Sequence, residues 1–290
     1  MLSRRDLLSK AAVLAGAGAA GTRRMRAQGG HIKPSVLISM LPPELSYLDR
    51  FKLAVDIGFR HMEVRTVDDD SEARQINDAA GKAGLRIHSV MNMRHWKHPL
   101  SSPDSQDVDL SLEGMQASLR QAELYGADAV LLVPAVVRDD TPYEQAWERS
   151  QQQIRKLIPE AEKQNVIIAI EEVWNKFLLT PRDFVQYVDE FNHPLIKAYF
   201  DVGNVVHYGV PQHWIRALGK RIIKVHLKDY SRADGFVGLG DGEVNWPEIR
   251  KALSEIGYTG EATVELRGGD RKYLTDVYQR VERLLGLARA

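Results

Sequence analysis

Four polar residues close four short apolar runs: Glu171 after VIIAI, Asp201 after IKAYF, His226 after RIIKV and Glu265 after EATV. They lie 30, 25 and 39 residues apart, and each gap holds a helix and a return to a neighbouring parallel strand. In a parallel α/β barrel all strand C-termini open on one mouth, so side chains distant in sequence converge there. Three carboxylates brought together repel unless a cation neutralises them. Three oxygens and one imidazole nitrogen suit a divalent metal such as Mn²⁺, Mg²⁺, Co²⁺ or Zn²⁺. Taken singly, each residue has a plainer reading. Glu171 and Glu172 read as strand-end charges, Asp201 in FDVGN as a helix N-cap, His226 in KVHLKD as a core histidine, and Glu265 as the ion-pair partner of Arg267. Four such strand ends together favour the shared site. Side chains alternate along a strand. If Ile167 and Ala169 face the interior, Glu171 does too and Glu172 does not, which makes Glu171 the preferred ligand.

A site of this kind implies proton transfer beside a carbonyl. A divalent ion binding a hydroxyl and the adjacent carbonyl oxygen stabilises an enediolate. Two carboxylates, Glu171 and Glu265, would remove a proton on one face of the substrate and return one on the other. That chemistry interconverts ketoses and aldoses, or epimerises the carbon next to the carbonyl. Given a leaving group at the β position, the same carbanion eliminates it.

The elements that must position these residues alternate from residue 34 onward. Apolar runs at Val36–Ser39, His61–Arg65, Arg86–Met91 and Ala129–Val133, with those starting near Val166, Ile196, Ile222 and Glu261, make eight strands. Helical spacing fills the intervals: Glu44–Gly58, Glu72–Ala83, Val108–Tyr125, Pro142–Gln164, Pro181–Phe191, Gln212–Leu218, Trp246–Ile256 and Tyr273–Leu287. Gly58, Gly84 and Gly126 stand where helices should stop. A long polar loop is expected at Asn92–Asp107. Eight strands alternating with eight helices predict an α/β (β/α)₈ TIM barrel. A doubly wound sheet would need a glycine-rich phosphate turn after an early strand, and none is present. The run Gly238–Gly242 lacks the strand–turn–helix setting of a dinucleotide fingerprint and reads as a mouth loop.

Several segments resemble one family. AIEEVWNKF, YFDVGN, VHLKDY, TVEL and RHWKHPLSSPD (Arg94–Asp104) look like motifs of the xylose isomerase-like superfamily of sugar isomerases and epimerases, over nearly all of residues 34–290. The resemblance implies a barrel with a Glu-Asp-His-Glu site for one divalent ion per chain, often Mn²⁺. Carried over, the ligands are Glu171, Asp201, His226 and Glu265, with Glu171 and Glu265 as acid and base. The doubled Glu171-Glu172 departs from the family and leaves two adjacent candidates for the first ligand. So does Asn204, where many relatives place a substrate-binding histidine. Further substrate-facing candidates are Glu63 and His88 at strand ends, Trp96 and His98 on a mouth loop, Asn204, Lys228 and Arg267. Lys228 shares the strand face of His226, and its alternative is a surface pair with Asp229; His207 is a site-rim or helix-end residue. Relatives are often dimers or tetramers, so a homo-oligomer is expected.

Residues 1–30 are different material. Arg4-Arg5, a short small-residue stretch from Ala11 to Gly21 and basic residues at Arg23, Arg24 and Arg26 resemble a bacterial twin-arginine export signal. The stretch is too short to span a bilayer. The expectation is an exported, periplasmic protein delivered by the twin-arginine machinery, with residues 31–290 forming one barrel domain. The chain carries 39 basic and 39 acidic residues, so no net charge favours nucleic acid, and with no cysteine it has neither disulfides nor thiolate metal sites. The leading expectation is a metal-dependent isomerase or epimerase acting on a free sugar or keto-sugar. The alternatives are a 3-keto-glycoside lyase or hydratase, a non-catalytic sugar-binding barrel, and a phosphodiesterase of the apurinic-endonuclease kind. The neutral charge and the single histidine at a ligand strand end argue against the last.

Overall fold

The computed structural model describes residues 31–287. The expected twin-arginine signal lies outside the described residues. Eight parallel strands close into a barrel: β1 (Lys33–Leu37), β2 (His61–Arg65), β3 (Arg86–Met91), β4 (Ala129–Leu132), β5 (Ile167–Glu171), β6 (Ile196–Asp201), β7 (Ile222–Leu227) and β10 (Glu261–Val264). Strand β10 pairs with both β7 and β1 and so completes the ring. The intervening helices are α1 (Tyr47–Ile57), α2 (Asp70–Ala83), α3 (Ser105–Tyr125), α4 (Tyr143–Gln164), α5 (Pro181–Asp189), α6 (Pro211–Leu218), α7 (Trp246–Glu255) and α8 (Arg271–Leu285). The fold is the (β/α)₈ barrel that the alternation predicts. Among the described residues, no helix is long and apolar enough to cross a membrane.

Strand parity separates two apolar layers. Val36, Val64, Val90, Ile168, Ile170, Phe200, Val225 and Val264 belong to the outer core shared with the helices. Leu37, Met91, Leu131, Ala169 and Tyr199 belong to a second cluster inside the barrel. Helix ends follow local chemistry. Asp104 and Asp270 cap α3 and α8 by accepting from Gln106 N–H and Tyr273 N–H. Gly84, Gly126 and Gly286 end α2, α3 and α8 in the left-handed region.

Three local expectations are revised. The first strand is Lys33–Leu37, and Ile38–Met40 is a 3₁₀ turn. Helix α3 starts at Ser105, inside the expected loop, because Asp104 supplies the cap. The stretch after β7 folds into an antiparallel hairpin of β8 (Asp229–Ser231) and β9 (Gly235–Val237), which no periodicity announced.

Two register shifts set interior depth. Between β2 and β3 the pairing passes from Met62↔Ile87 to Glu63↔Ser89, leaving His88 as the extra residue. Between β6 and β7 it passes from Ala198↔Ile222 to Tyr199↔Lys224, and Asp201 then comes level with His226. The barrel floor is closed by charge: Lys224 Nζ lies 2.6 Å from Glu261 Oε2 and 2.7 Å from Asp128 Oδ1.

Candidate active site

The four strand-end residues meet. Glu171, Asp201, His226 and Glu265 each bring one ligand atom into a group whose atoms all lie within 4.8 Å of one another. Parity does this locally: Ile170 and Phe200 pack outward, so Glu171 and Asp201 turn inward. Register does the rest, pairing His226 with Asp201 on one side and with Thr263 on the other. Glu265 lies one residue past β10, where its N–H still donates to Leu227 O at 3.3 Å. Glu172 has the opposite parity and turns away; its Oε1 accepts from Asp201 N–H at 3.0 Å.

His226 Nδ1 is the centre of the group. It lies 2.8 Å from Glu171 Oε1, 3.0 Å from Glu265 Oε2 and 3.9 Å from Asp201 Oδ2. Lys228 Nζ enters from the mouth, 2.9 Å from Asp201 Oδ2 and 2.8 Å from Glu265 Oε2. It passes so close to Gly203 that a Cβ there would come within 2.5 Å of Lys228 Cβ, which explains the glycine in FDVGN. Asp201 Oδ1 accepts from the N–H groups of Gly203 at 2.8 Å and Asn204 at 2.9 Å. Asp201 Oδ2 and Glu265 Oε2 are buried, and the cation that faces them both is the Lys228 ammonium. Buried carboxylate oxygens are costly unless a cation faces them. Beside an imidazole nitrogen they make an oxygen-and-nitrogen donor set that fits a divalent ion.

The electrostatics point the same way. Burial pushes the Glu171 carboxyl up to about 7, although His226 and Lys228 oppose the shift. Burial would raise Glu265 as well, but the cations of His226 and Lys228 hold it well below the usual carboxylate range. Burial would lower His226, yet the charges of Glu63, Glu265 and Glu171 hold it well above its ordinary value. Lys228 is likewise held above its usual range by Asp201 and Glu265, against the effect of burial. The group thus draws positive charge from each available side chain. Its two glutamates are pulled in opposite directions.

The other sequence candidates fall in different places. Glu63 and His88 lie inside the barrel, fully buried. Glu63 faces His226 Nε2 at 3.2 Å, and His88 Nε2 bonds Ser35 Oγ at 2.8 Å and Thr263 Oγ1 at 3.0 Å. Asn204 is spent on the scaffold, its Nδ2 donating to Glu172 O at 3.1 Å. His98 Nδ1 bonds Asp107 Oδ1 at 2.8 Å and so ties the mouth loop to α3. Trp96 is half exposed on that loop, edge-on to His95. Arg267 is exposed and lines a cavity of about 630 Å³ together with Lys228, Glu265, Phe236 and Tyr273. His207 stands on the rim against Trp174, with ring centroids 5.1 Å apart. Lys228 does not pair with Asp229, because that residue is occupied. Asp229 accepts from Gly240 N–H at 2.7 Å, Tyr230 N–H at 2.9 Å, Val244 N–H at 3.2 Å and Trp246 Nε1–H at 2.8 Å, and so organises the glycine-rich loop.

Sequence reasoning passed over three residues of this mouth. His95 is 2% exposed; its Nδ1 accepts from Val133 N–H at 3.3 Å, and burial lowers its pKa to about 3 despite the charge of Glu265. Its neighbours in RHWKH drew the attention instead. Trp174 and Phe236 stack at 4.8 Å with 19° between their planes, leaving 42% and 46% of their surfaces open. Trp174 follows Glu171 by three residues and was legible as a strand-end aromatic. Phe236 lies on the hairpin that was not foreseen.

A sequence profile described as xylose isomerase-like TIM barrel matches residues 51–283. The chain is 24% identical over 243 residues to L-ribulose-5-phosphate 3-epimerase UlaE of Salmonella paratyphi A, which covers 78% of this chain and 84% of that protein. A D-tagatose 3-epimerase-like protein superposes with a TM-score of 0.76 at 17% identity, covering 88% of this chain and 99% of the other. The 3-keto-D-glucoside 4-epimerase YcjR from E. coli superposes with a TM-score of 0.74 at 13% identity, covering 87% and 98%.

Proposed function

The chain belongs to the xylose isomerase-like TIM barrel family, and from that premise we propose that it is a divalent-metal-dependent sugar epimerase or isomerase. The observation that carries the reading is the convergence of Glu171, Asp201, His226 and Glu265, with both glutamates against His226 Nδ1. Relatives named as sugar epimerases support it. Glu171, Asp201, His226 and Glu265 would hold the ion, Mn²⁺ foremost, with Mg²⁺, Co²⁺ or Zn²⁺ as alternatives. When bound, the ion supplies Lewis acidity that makes a carbon–hydrogen bond beside a carbonyl acidic.

The chain's own residues then divide the work. Glu265 Oε2, 2.8 Å from Lys228 Nζ, accepts the proton from the carbon beside the carbonyl. Glu171, which meets Glu265 across His226 Nδ1, handles the proton on the opposite face. Lys228 has three N–H donors, of which two face Asp201 and Glu265, so one remains for a substrate oxygen. The substrate is a free sugar or keto-sugar. The leader expected in residues 1–30 would place the reaction outside the cytoplasm, and a homo-oligomer is part of the same reading.

One observation favours a second reading, a lyase or hydratase acting on a keto-glycoside. The cavity beside Glu265 and Lys228 measures about 630 Å³. Beyond those two residues it is lined by Phe236, Arg267 and Tyr273, where the second ring of a glycoside would lie. The test is incorporation of deuterium from D₂O, followed by proton NMR, with Mn²⁺ and D-allulose, L-ribulose, L-ribulose 5-phosphate or a 3-keto-glucoside. Wild type should exchange the proton beside the carbonyl, and Glu265→Gln should lose at least about 100-fold of that rate. No exchange with any of these compounds would reject both readings, and loss of the glycosidic group without epimer would select the second.

A further inference from the structure

We infer that Glu63 is a positioning residue that sets the tautomer and aim of His226. This rests on the metal reading above and concerns a residue that holds no ligand place of its own. Glu63 stands on β2, opposite Ser89, at the point where the β2–β3 register shifts. Its Oε2 accepts from Ser89 Oγ at 2.9 Å and from the Tyr199 hydroxyl, and it faces His226 Nε2 at 3.2 Å. All four side chains are fully buried. Tyr199 lies two residues before Asp201 on the interior face of β6, so the same strand presents a ligand above and a clamp on Glu63 below.

The direction of the hydrogen bond follows from the inventory of donors. A carboxylate can only accept, so without an ion both ring nitrogens carry protons, Nε2 against Glu63 and Nδ1 against Glu171 and Glu265. A divalent ion needs a lone pair, and with Glu63 holding the Nε2 proton the nitrogen that gives its proton up to the ion is Nδ1. Nδ1 is the nitrogen that faces Glu171, Glu265 and Asp201. The interior carboxylate therefore turns the electron pair of His226 toward the donor group. It also fixes the ring plane, because Tyr199 and Ser89 hold Oε2 in place from other directions. Partners of this kind alter metal affinity about 10–100-fold when removed.

The experiment compares Mn²⁺ binding to the full chain and to Glu63→Gln by the electron paramagnetic resonance signal of free Mn²⁺. Gln keeps the shape and removes the charge. The expected result is a dissociation constant about 10–100-fold larger, with unchanged circular dichroism. Equal affinity within threefold overturns the inference, and wild type that binds no Mn²⁺ overturns the metal reading and this one together. A second measurement compares long-range proton–nitrogen spectra of Mg²⁺-loaded wild type and Glu63→Gln: the His226 ring proton should be fixed on Nε2 in wild type and lose that single position in the variant, and the same spectrum in both overturns the inference. A purely structural Glu63 would move neither readout.

Discussion

Replacing Lys228 by Met tests whether this ammonium and a divalent ion answer the same two carboxylates. Lys228 Nζ lies 2.9 Å from Asp201 Oδ2 and 2.8 Å from Glu265 Oε2, with Lys228 only 15% exposed and Asp201 not at all. Removing one partner of a buried ion pair leaves its counter-charge uncompensated and costs about 3–5 kcal/mol. In a domain of this size each kcal/mol shifts the melting midpoint by about 2–4 °C, so the metal-free variant should melt roughly 6–20 °C lower. Met has similar length and apolar bulk, so packing against Phe236, whose ring lies 5.5 Å from Nζ, is largely retained. Adding Mn²⁺ should restore more to the variant than to wild type, because a competing cation has been removed from the oxygens. Saturation at about 100 times the dissociation constant is worth about 2.7 kcal/mol. The assay is thermal unfolding of both proteins with EDTA and with Mn²⁺. A metal-free variant within about 0.5 kcal/mol of wild type, the usual size of a surface change, would refute the reasoning. So would equal Mn²⁺ increments in the two proteins.

Three further outcomes are expected. Stability of the metal-free protein should fall as pH rises from about 4.5 to 7, because folded Glu171 keeps a proton that the unfolded chain has released. The change is about 3 kcal/mol, His226 with its raised pKa adds loss of the same sign, and urea midpoints across pH 4.5–8 measure it. With saturating Mn²⁺ the slope should reverse, since ligands bind the ion deprotonated. Asp229→Ala strips the acceptor from four N–H donors of the mouth loop and should cost at least about 3 kcal/mol while loosening Gly240 and Val244, read by amide hydrogen exchange. Gly242→Ala should mimic it, because a Cβ there collides with Asp229 Oδ1; wild-type exchange rates in that variant would count against the loop's dependence on Asp229.

Much of the molecule was legible in one dimension. Alternation of apolar runs with helical spacing announced eight βα units, and glycines at Gly84 and Gly126 marked real helix ends. The hairpin after β7 escaped because each of its strands is three residues long, too short to show a period. Helix α3 was shortened in the reading because its first turn, Ser-Gln-Asp, is polar and the Asp104 cap was read as loop.

At the site, the sequence by itself determined which residues stand at the strand ends and which way each faces. Parity is local: Ile170 outward implies Glu171 inward and Glu172 away, whatever the neighbours are. Depth and partnership are not local. Glu63 and His88, expected at strand ends, are each the third residue of their strand, deep in the barrel, where one faces the back of His226 and the other bonds Ser35 and Thr263. Asn204 and His98 carry polar groups suited to a sugar, and the folded chain spends them on Glu172 O and Asp107. Lys228 turns from its neighbour Asp229 to Asp201 and Glu265 because β8 leads Asp229 into a nest of N–H donors. These outcomes depend on strand register, set here by extra residues at His88 and Ile223. A one-residue shift between neighbouring strands changes every facing pair while leaving each strand's own pattern untouched.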